Sequence, residues 1–222
     1  MTGRHELKYY INYSDFLQLR SRLLAVMKSD EHSESGEGYR VRSLYFDNYS
    51  DKALREKVDG INEREKFRIR FYKDMPTFIR LEKKSKKSGI CYKQSAVITK
   101  EECENILNGH YEVLKQRNHP LLVEFYTKIC NQHLRPKNIV DYKREAFVFA
   151  AGNVRVTFDY DIRSGMQVYT FLDPQIVTVP INGVIILEVK YDAFLPEIIR
   201  GMVALSGRQS SAFSKYAVTR LI

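Results

Sequence analysis

Alternating hydrophobic and polar residues predict eight β-strands along the chain. Successive side chains of a strand point to opposite faces, so an alternating segment has one apolar and one polar face. The pattern occurs in residues 4–11, 39–47, 65–72, 78–84, 90–99, 139–149, 154–162 and 184–191. Helices do not alternate strictly with these strands, which disfavours a parallel, doubly wound sheet. The expected fold is therefore α+β, with an antiparallel sheet.

Helical periodicity predicts five helices between and after the strands. Apolar residues recur at helical spacing in residues 14–27, 51–58, 99–107, 120–134 and 196–205. Ser14, Ser50 and Thr99 are predicted N-caps, and Asn108-Gly109 is a predicted helix stop. No linker or internal repeat interrupts the 222 residues, so a single domain over residues 1–222 is expected.

The polar faces of five predicted strands are rich in arginine and lysine. In residues 66–71, Lys66, Arg68 and Arg70 share one face, and three apolar side chains share the other. Taken alone, such a strand is typical of a half-solvated antiparallel sheet. The pattern recurs in Arg4, Glu6 and Lys8, in Arg80, Glu82 and Lys84, in Arg155, Thr157 and Asp159, and in Glu188 and Lys190. Repeated arginine favours bidentate phosphate contacts, and closing the sheet would turn these faces into a polar tunnel with helices outside.

The charge balance indicates what such a tunnel would bind. The net charge is +9 and the isoelectric point is about 9.3, which favours a polyanionic partner such as nucleic acid, a phosphate compound or an anionic membrane. The carboxylates on the charged faces are too few to neutralise the basic residues, and crowded cations repel one another. A highly charged ligand such as polyphosphate is therefore expected, with the carboxylates suited to Mg²⁺ or Mn²⁺.

Several other functional classes are disfavoured by the sequence. Glycine-rich nucleotide motifs and the HExxH metalloprotease motif are absent from it. Cys91, Cys103 and Cys130 form no CxxC pair, which suits a reducing compartment. The polar residues 1–7 and the absence of a long apolar run predict neither a signal peptide nor a membrane span, so a cytoplasmic protein is expected.

Eight short segments, in order, resemble the VTC polyphosphate polymerase domain, which belongs with the triphosphate tunnel metalloenzymes. They are ELKY at 6–9, YRVRSLYFD at 39–47, KFRIR at 66–70, LEKK at 81–84, YKREAF at 142–147, VRVTFD at 154–159, LEVKY at 187–191 and SKY at 214–216. Each segment alone is weak, but the ordered set covers nearly the whole chain. The resemblance implies a closed, eight-stranded antiparallel β-barrel with helices packed outside.

The resemblance also implies an activity and its residues. The activity is metal-dependent transfer of the γ-phosphate of ATP onto a growing inorganic polyphosphate chain. By position, the implied phosphate-binding residues are Lys8, Arg68, Arg70, Lys84, Lys93, Arg144, Arg155, Lys190 and Lys215. The implied catalytic residues are Arg68, Arg70, Glu188 and Lys215, and Glu188 with Glu6 would hold Mn²⁺ or Mg²⁺. ATP and polyphosphate are the expected partners, nucleic acid is not expected, and a membrane partner protein that exports the product stays an open question.

Two alternatives stay open. Hydrolytic relatives begin with an ExExK pattern, whereas this chain has Arg4, Glu6 and Lys8 at those positions, which disfavours a two-metal triphosphatase or a nucleotide cyclase on the same fold. It also leaves the role of Glu6 open. The other alternative is a non-enzymatic module that binds polyphosphate or RNA. RNA-binding sheets place aromatic side chains beside the cations, but Phe67 and Phe71 lie on the apolar face.

Overall fold

An antiparallel sheet forms the frame of the protein, whose computed structural model describes residues 3–30, 38–73, 76–205 and 213–221. The strands are β1 (His5–Ile11), β2 (Lys28–Ser29), β3 (Tyr39–Asp47), β4 (Arg64–Tyr72), β5 (Ile79–Lys87), β6 (Ile90–Ile98), β7 (Arg135–Phe149), β8 (Val154–Gly165), β9 (Val179–Pro180) and β10 (Ile185–Tyr191). Eight of them follow the order β1-β10-β8-β7-β3-β4-β5-β6, while β2 pairs with β7 and β9 with β8. Every ladder is antiparallel, as the sequence predicts.

The sheet curls until its two end strands approach each other, but it does not close. The backbones of Arg4 and Cys91 exchange two hydrogen bonds, with N–O distances of 3.2 and 3.5 Å. Among the described residues, this pair is the only backbone link between the β1 and β6 edges. The prediction of a closed barrel is therefore wrong, because closure needs a continuous ladder between the end strands. The protein is an open barrel with helices.

Seven helices accompany the sheet in the described part of the chain. They are α1 (Tyr13–Val26), α2 (Lys52–Val58), α3 (Lys100–Leu107), α4 (Val113–Gln116), α5 (Pro120–Gln132), α6 (Glu197–Val203) and α7 (Lys215–Val218). Thr99 caps α3 as predicted: its side chain accepts a hydrogen bond from Glu102 N at 3.0 Å, and Glu102 returns one to Thr99 N. No described helix has the length and apolar character needed to cross a membrane.

Two of the predicted N-caps are wrong. Helix α1 is capped by Asn12, whose side chain accepts from Asp15 N at 2.7 Å while the Asp15 carboxylate accepts from Asn12 N. The residue that precedes α2 is Asp51 rather than Ser50. The capping box needs a carboxylate or amide three residues after the cap, and Asn12 with Asp15 satisfies this requirement directly.

Helices cover the apolar outer face of the sheet in two patches. Helices α3, α4 and α5 bury side chains such as Phe125 against the outer faces of β3 to β6, where Phe46 and Phe67 pack against its ring. Helices α1 and α6 cover β1, β10, β8 and the end of β7, with Leu19 and Leu23 fully buried. Because the helices take the apolar face, the charged face is left to line the inside of the curl.

Helices α2 and α7 lie at the inner side and are joined to the sheet by one buried carboxylate. Asp47, at the end of β3, accepts hydrogen bonds from Ala53 N at 2.9 Å, from Leu54 N at 3.1 Å and from the Tyr216 hydroxyl at 2.8 Å. Asp47 is completely buried. This junction holds the start of α2 and the whole of α7 in place beside the inner face.

Candidate phosphate-binding site

Strand register brings the predicted basic residues onto one inner face. In the β4–β5 ladder, Arg68 lies opposite Glu82, Lys66 opposite Lys84, and Arg70 opposite Arg80. The guanidinium of Arg68 contacts Glu82 through both Nε and Nη2, at 2.8 and 2.7 Å from Oε2. This forked contact fixes the plane of the guanidinium.

Neutral side chains position the two arginines further. Arg68 Nη1 donates to the Tyr45 hydroxyl at 3.0 Å. Arg70 donates through Nε to Ser43 Oγ at 2.9 Å and through Nη2 to the Tyr142 hydroxyl at 3.0 Å. Both arginines are thus held by β3 and β7 before any ligand binds.

A second group of predicted residues meets where β1, β10 and β5 converge. Lys8 Nζ lies 3.5 Å from Glu6 Oε1 and 3.2 Å from Glu188 Oε1. Lys84 Nζ binds both oxygens of Glu6, at 2.8 and 2.7 Å, and Lys190 Nζ lies 2.7 Å from Glu188 Oε2. Burial raises the pKa of Glu188, but Lys190 and Lys8 outweigh it and hold that pKa well below its usual range. Two carboxylates and three amines therefore form one compact charge cluster.

A third group joins β7, β8 and α7. Arg144 contacts Asp159 with Nε at 2.6 Å and Nη2 at 2.8 Å, and its Nη2 lies 3.8 Å from Glu188 Oε2. Lys215 Nζ also pairs with Asp159 and lies 4.7 Å from the centre of the Tyr142 ring. Lys215 thus reaches the site from a four-residue helix that periodicity does not predict.

Two predicted residues lie at the margins of the site. Arg155 Nη1 is 2.7 Å from Asp30 Oδ2, and its Nη2 donates to the Tyr39 hydroxyl at 3.1 Å. Lys93 Nζ contacts Glu82 Oε1 at 2.5 Å, but its side chain is 48% exposed. Lys93 is therefore the most exposed of the predicted phosphate ligands, whereas Arg155 is about as exposed as Lys84 and Lys190.

The crowding of cations changes the acidity of two buried neighbours. Burial alone would raise the pKa of Tyr45, but the positive charges of Arg68, Lys66 and Arg70 lower it to about 7. Burial lowers the pKa of Lys66 to about 7, and Lys84 and Lys8 act in the same direction against the opposing effect of Tyr45. Lys66 Nζ lies 5.4 Å from the centre of the Tyr45 ring. Neighbouring positive charges therefore lower the pKa of both groups.

The sequence-based reasoning missed the tyrosine hydroxyls of the inner face. Tyr39 and Tyr45 on β3 share their strand parity with Ser43, and Tyr142 shares its parity with Arg144 on β7. Parity within the two segments was the available signal, but tyrosine is equally common in apolar cores. The hydroxyls orient arginines here, whereas the rings pack with Val41 and other residues of an inner apolar cluster.

The donor set fits a hard divalent cation that is shared with a phosphate ligand. Glu6 and Glu188 both lie within 3.5 Å of the Lys8 amino group, so their carboxylates face the same space. Among the described residues, no group of three or more His, Cys, Asp or Glu side chains could enclose a metal. Mg²⁺ commonly uses one or two carboxylates and completes its shell with waters and substrate phosphates, and Mn²⁺ favours similar oxygen ligands.

The protein is an open barrel whose inner face carries fixed cations, and comparison with known proteins gives its family. The VTC domain family matches residues 3–221, and the chain belongs to that family. The family resemblance seen in the sequence is thereby confirmed. No curated protein matches the chain.

Two solved structures resemble the fold weakly. A candidate adenylate cyclase from Bacillus halodurans is 15% identical, with a TM-score of 0.49, over 90% of this chain and 87% of that chain. A conserved hypothetical protein from Pyrococcus furiosus is 13% identical, with a TM-score of 0.46, over 90% of this chain and 85% of that chain. At these values neither resemblance supports an activity.

Proposed function

We propose that this domain is a polyphosphate polymerase that transfers the γ-phosphate of ATP to the end of an inorganic polyphosphate chain. Membership of the VTC domain family supports an enzyme of the tunnel type. The observation that carries the finer proposal is the convergence of fixed cations from β1, β4, β5, β7, β10 and α7 on one inner face. A triphosphate and the end of a phosphate chain both need this kind of multivalent, positively charged lining.

The chain's own residues would act mainly by positioning and by charge. Arg68 and Arg70, already oriented by Glu82, Ser43 and two tyrosines, would hold oxygens of the triphosphate. Lys215, from the β8 side of the same face, would neutralise charge that develops on the transferred phosphoryl group. Preorganised donors of this kind stabilise a transition state without further rearrangement.

The transfer itself needs no protein base. The bond between the γ-phosphorus and the oxygen bridging it to the β-phosphate breaks, and ADP leaves with that electron pair. A terminal phosphate oxygen of the acceptor chain forms the new bond. That oxygen is already ionised, so the protein has only to hold it in line. Glu188 and Glu6 would hold a Mg²⁺ or Mn²⁺ ion, which when bound supplies charge neutralisation at the phosphates.

A product assay tests the proposal directly. The purified protein is incubated with ATP and either Mn²⁺ or Mg²⁺, and the products are separated by gel electrophoresis and chromatography. A ladder of long polyphosphates with ADP is the expected result. Free phosphate without chains, a cyclic nucleotide, or no turnover would each overturn it. Arg70→Ala should abolish the ladder, whereas Lys87→Ala, an exposed lysine on β5, should leave it unchanged.

A further inference from the structure

The basic inner face continues past the predicted site into a pocket at one end of the barrel. The pocket has a volume of about 120 Å³. Lys8, Lys66 and Lys84 line the part of it that adjoins the predicted site. Its outer lining includes Lys57 of α2, Arg64 of β4 and Lys86 of β5. We call these three residues the outer basic cluster. None of them belongs to the family motifs found in the sequence.

The outer basic cluster lies on the same strand faces as the predicted phosphate ligands. Residues two apart share a face, so Arg64 continues the row of Lys66, Arg68 and Arg70. Lys86 likewise continues the row of Lys84, and the ladder places Arg64 directly opposite Lys86. The outer basic cluster is therefore continuous with the rows of predicted phosphate ligands and is not a separate surface patch.

The three cations form no ion pairs in the described part of the chain, although Glu6 also lines the pocket. The Arg64 guanidinium donates to the backbone oxygen of Ile61, and no ion pair with a carboxylate is formed by Lys57, Arg64 or Lys86. All three side chains are half-buried rather than free in solvent. Burial, together with the charges of Arg64, Lys8 and Lys86, lowers the pKa of Lys57 to about 8. Like charges held together in this way are stabilised by an anion.

The length of the basic track indicates an extended ligand. Arg70 and Arg64 are six residues apart on β4, which at ~3.4 Å per residue is ~20 Å of strand. A triphosphate held at Arg68 and Arg70 does not extend as far as Arg64. A nucleobase in the outer pocket would leave three cations unpaired, whereas a run of phosphates would pair with each of them.

We propose that the outer basic cluster binds the part of a polyphosphate chain that lies beyond the reacting phosphates. The inference rests on the proposed function, because it extends the same ligand along the same face. In this arrangement, short phosphates occupy only the inner residues. Long chains also contact Lys57, Arg64 and Lys86, so this outer contact distinguishes long chains from short phosphates.

The test compares three ligands with one triple variant. Affinities of the full chain for tripolyphosphate, ATP and long-chain polyphosphate are measured by calorimetry without metal, at several salt concentrations. The variant Lys57→Ala/Arg64→Ala/Lys86→Ala should weaken long-chain binding by ~10-fold or more and leave tripolyphosphate and ATP affinities near normal. Its salt dependence for long chains should also become shallower, because fewer counterions are displaced. Lys87→Ala removes a neighbouring lysine on the opposite face and should change none of these values.

The outcomes separate this inference from the proposed function. If the unmodified protein binds neither tripolyphosphate nor long chains, both proposals fail. If it binds both and the triple variant binds long chains equally well, the outer site alone is refuted. A variant that loses ATP affinity but keeps long-chain affinity would also refute it, because the pocket would then serve the nucleotide. Arg68→Ala should weaken all three ligands, which marks the inner site independently.

Discussion

The basic side chains of the inner face are held by partners within the protein before any phosphate arrives. Arg68 is fixed by Glu82 and Tyr45, and Arg144 is fixed by Asp159 in a two-point contact. A ligand therefore meets donors whose rotamers are already set, and less conformational entropy is lost on binding. Glu82 is only 1% exposed, so its carboxylate is confined beside the Arg68 guanidinium that it orients.

Exchanging Glu188 for glutamine separates binding from turnover. Glu188→Gln keeps the size of the side chain but removes the charge that would hold the metal. Metal-dependent ATP turnover should fall by ~100-fold or more, as is typical when one electrostatic stabiliser is lost. Metal-free affinity for tripolyphosphate should persist or increase, since Lys8 and Lys190 lose an acidic competitor.

The control for that exchange lies on the outer face. Glu124, on α5, pairs with Lys83 of β5 on the outer face, away from the inner cations, so Glu124→Gln should leave both measurements unchanged. If Glu188→Gln polymerises at a near-normal rate, Glu188 is not the essential metal ligand and the proposed roles must be reassigned.

The shifted pKa values of Tyr45 and Lys66 predict how stability depends on pH. Both groups have a folded pKa of about 7, below their ordinary values of 10.0 and 10.5. Between those limits the unfolded chain binds more protons than the folded one, so the free energy of unfolding should rise with pH above about 7. This contribution should be lost again as the pH falls to about 7. Urea unfolding in anion-poor buffer between about pH 7 and pH 9 measures the slope.

A ligand and a variant check the origin of that slope. Saturating tripolyphosphate raises the pKa of both groups, so the slope should shrink. Tyr45→Phe removes one of the groups with a lowered pKa in this range and should reduce the slope as well. A stability that is flat or decreasing over this range, in the absence of anions, would show that the two groups do not titrate as described.

At the residue scale, strand parity predicts that the cations share one face, but it does not predict which side chains hold them. Lys66, Arg68 and Arg70 alternate with apolar residues, so their shared face was predictable from local sequence. That Arg70 would be held by Ser43 and Tyr142 depends on which strands become neighbours, and β3 and β7 are far apart in sequence. Only tertiary pairing decides this.

Among the elements, the short helix α7 is anchored to the sheet by a buried contact of Tyr216. The Tyr216 hydroxyl donates to the buried Asp47 carboxylate at 2.8 Å, and the Tyr216 ring stacks on Tyr45 at 5.0 Å between centroids. Helix α7 has four residues and makes few hydrogen bonds of its own. Its place, and therefore that of Lys215, is set by this tyrosine together with Thr219, which is hydrogen-bonded to Asn138 and Ser164.

Removing the Tyr216 hydroxyl should weaken both stability and binding. Tyr216→Phe deletes a buried hydrogen bond to a charged acceptor, for which a loss of about 2 kcal/mol of unfolding free energy is expected. Tripolyphosphate affinity should fall as well, because α7 carries Lys215. Tyr126→Phe removes an exposed hydroxyl bond to Glu112 and should stay within about 0.5 kcal/mol of the unmodified protein. Unchanged affinity in Tyr216→Phe would show that the hydrogen bond from Tyr216 to Asp47 is not needed to position Lys215.

The predictability of the elements follows from how local their determinants are. Strand β3 was predicted at its observed bounds and the cap of α3 was predicted at Thr99, because alternation and capping are read from neighbouring residues. Strand β7 begins at Arg135 rather than at residue 139, since its first residues pair with the end of β3 and carry little alternation. Helix α7 was missed because four residues show no periodicity.

For the whole molecule, the excess of inner cations makes folding stability depend on anions. We expect tripolyphosphate to bind the folded state alone, and at a concentration one hundred times its dissociation constant it should then stabilise the protein by about 2.7 kcal/mol. For a chain of this size the melting temperature should rise by about 5–10 °C. Thermal melts with tripolyphosphate, and with sulfate at equal ionic strength, measure the effect.

The comparison with sulfate gives that experiment its specificity. Sulfate cannot bridge the separate cation groups, so it should raise the melting temperature less than tripolyphosphate does. Arg70→Ala should reduce the tripolyphosphate shift. No shift at millimolar tripolyphosphate would contradict an inner polyanion site.

The open seam could not be predicted from the sequence. Alternation shows that β1 and β6 each have a face for the interior, but it does not show how far the sheet must curl. Whether the edges form a ladder depends on the accumulated twist of eight strands, and among the described residues only Arg4 and Cys91 join the two edges by backbone hydrogen bonds. The antiparallel character, by contrast, followed from the chain pattern.

The arrangement of the strands also bears on how the protein is made. Strand β1 has its ladder on β10, and Lys215, the last residue of the site, pairs with Asp159. During translation at ~5–20 residues per second, β1 must therefore wait roughly ten to forty seconds for its partner strand to leave the ribosome. Nascent chains expose an unpaired edge throughout that time, and they have no complete site with which ATP could stabilise them. A polyanion that binds the inner face would consequently stabilise only the finished fold.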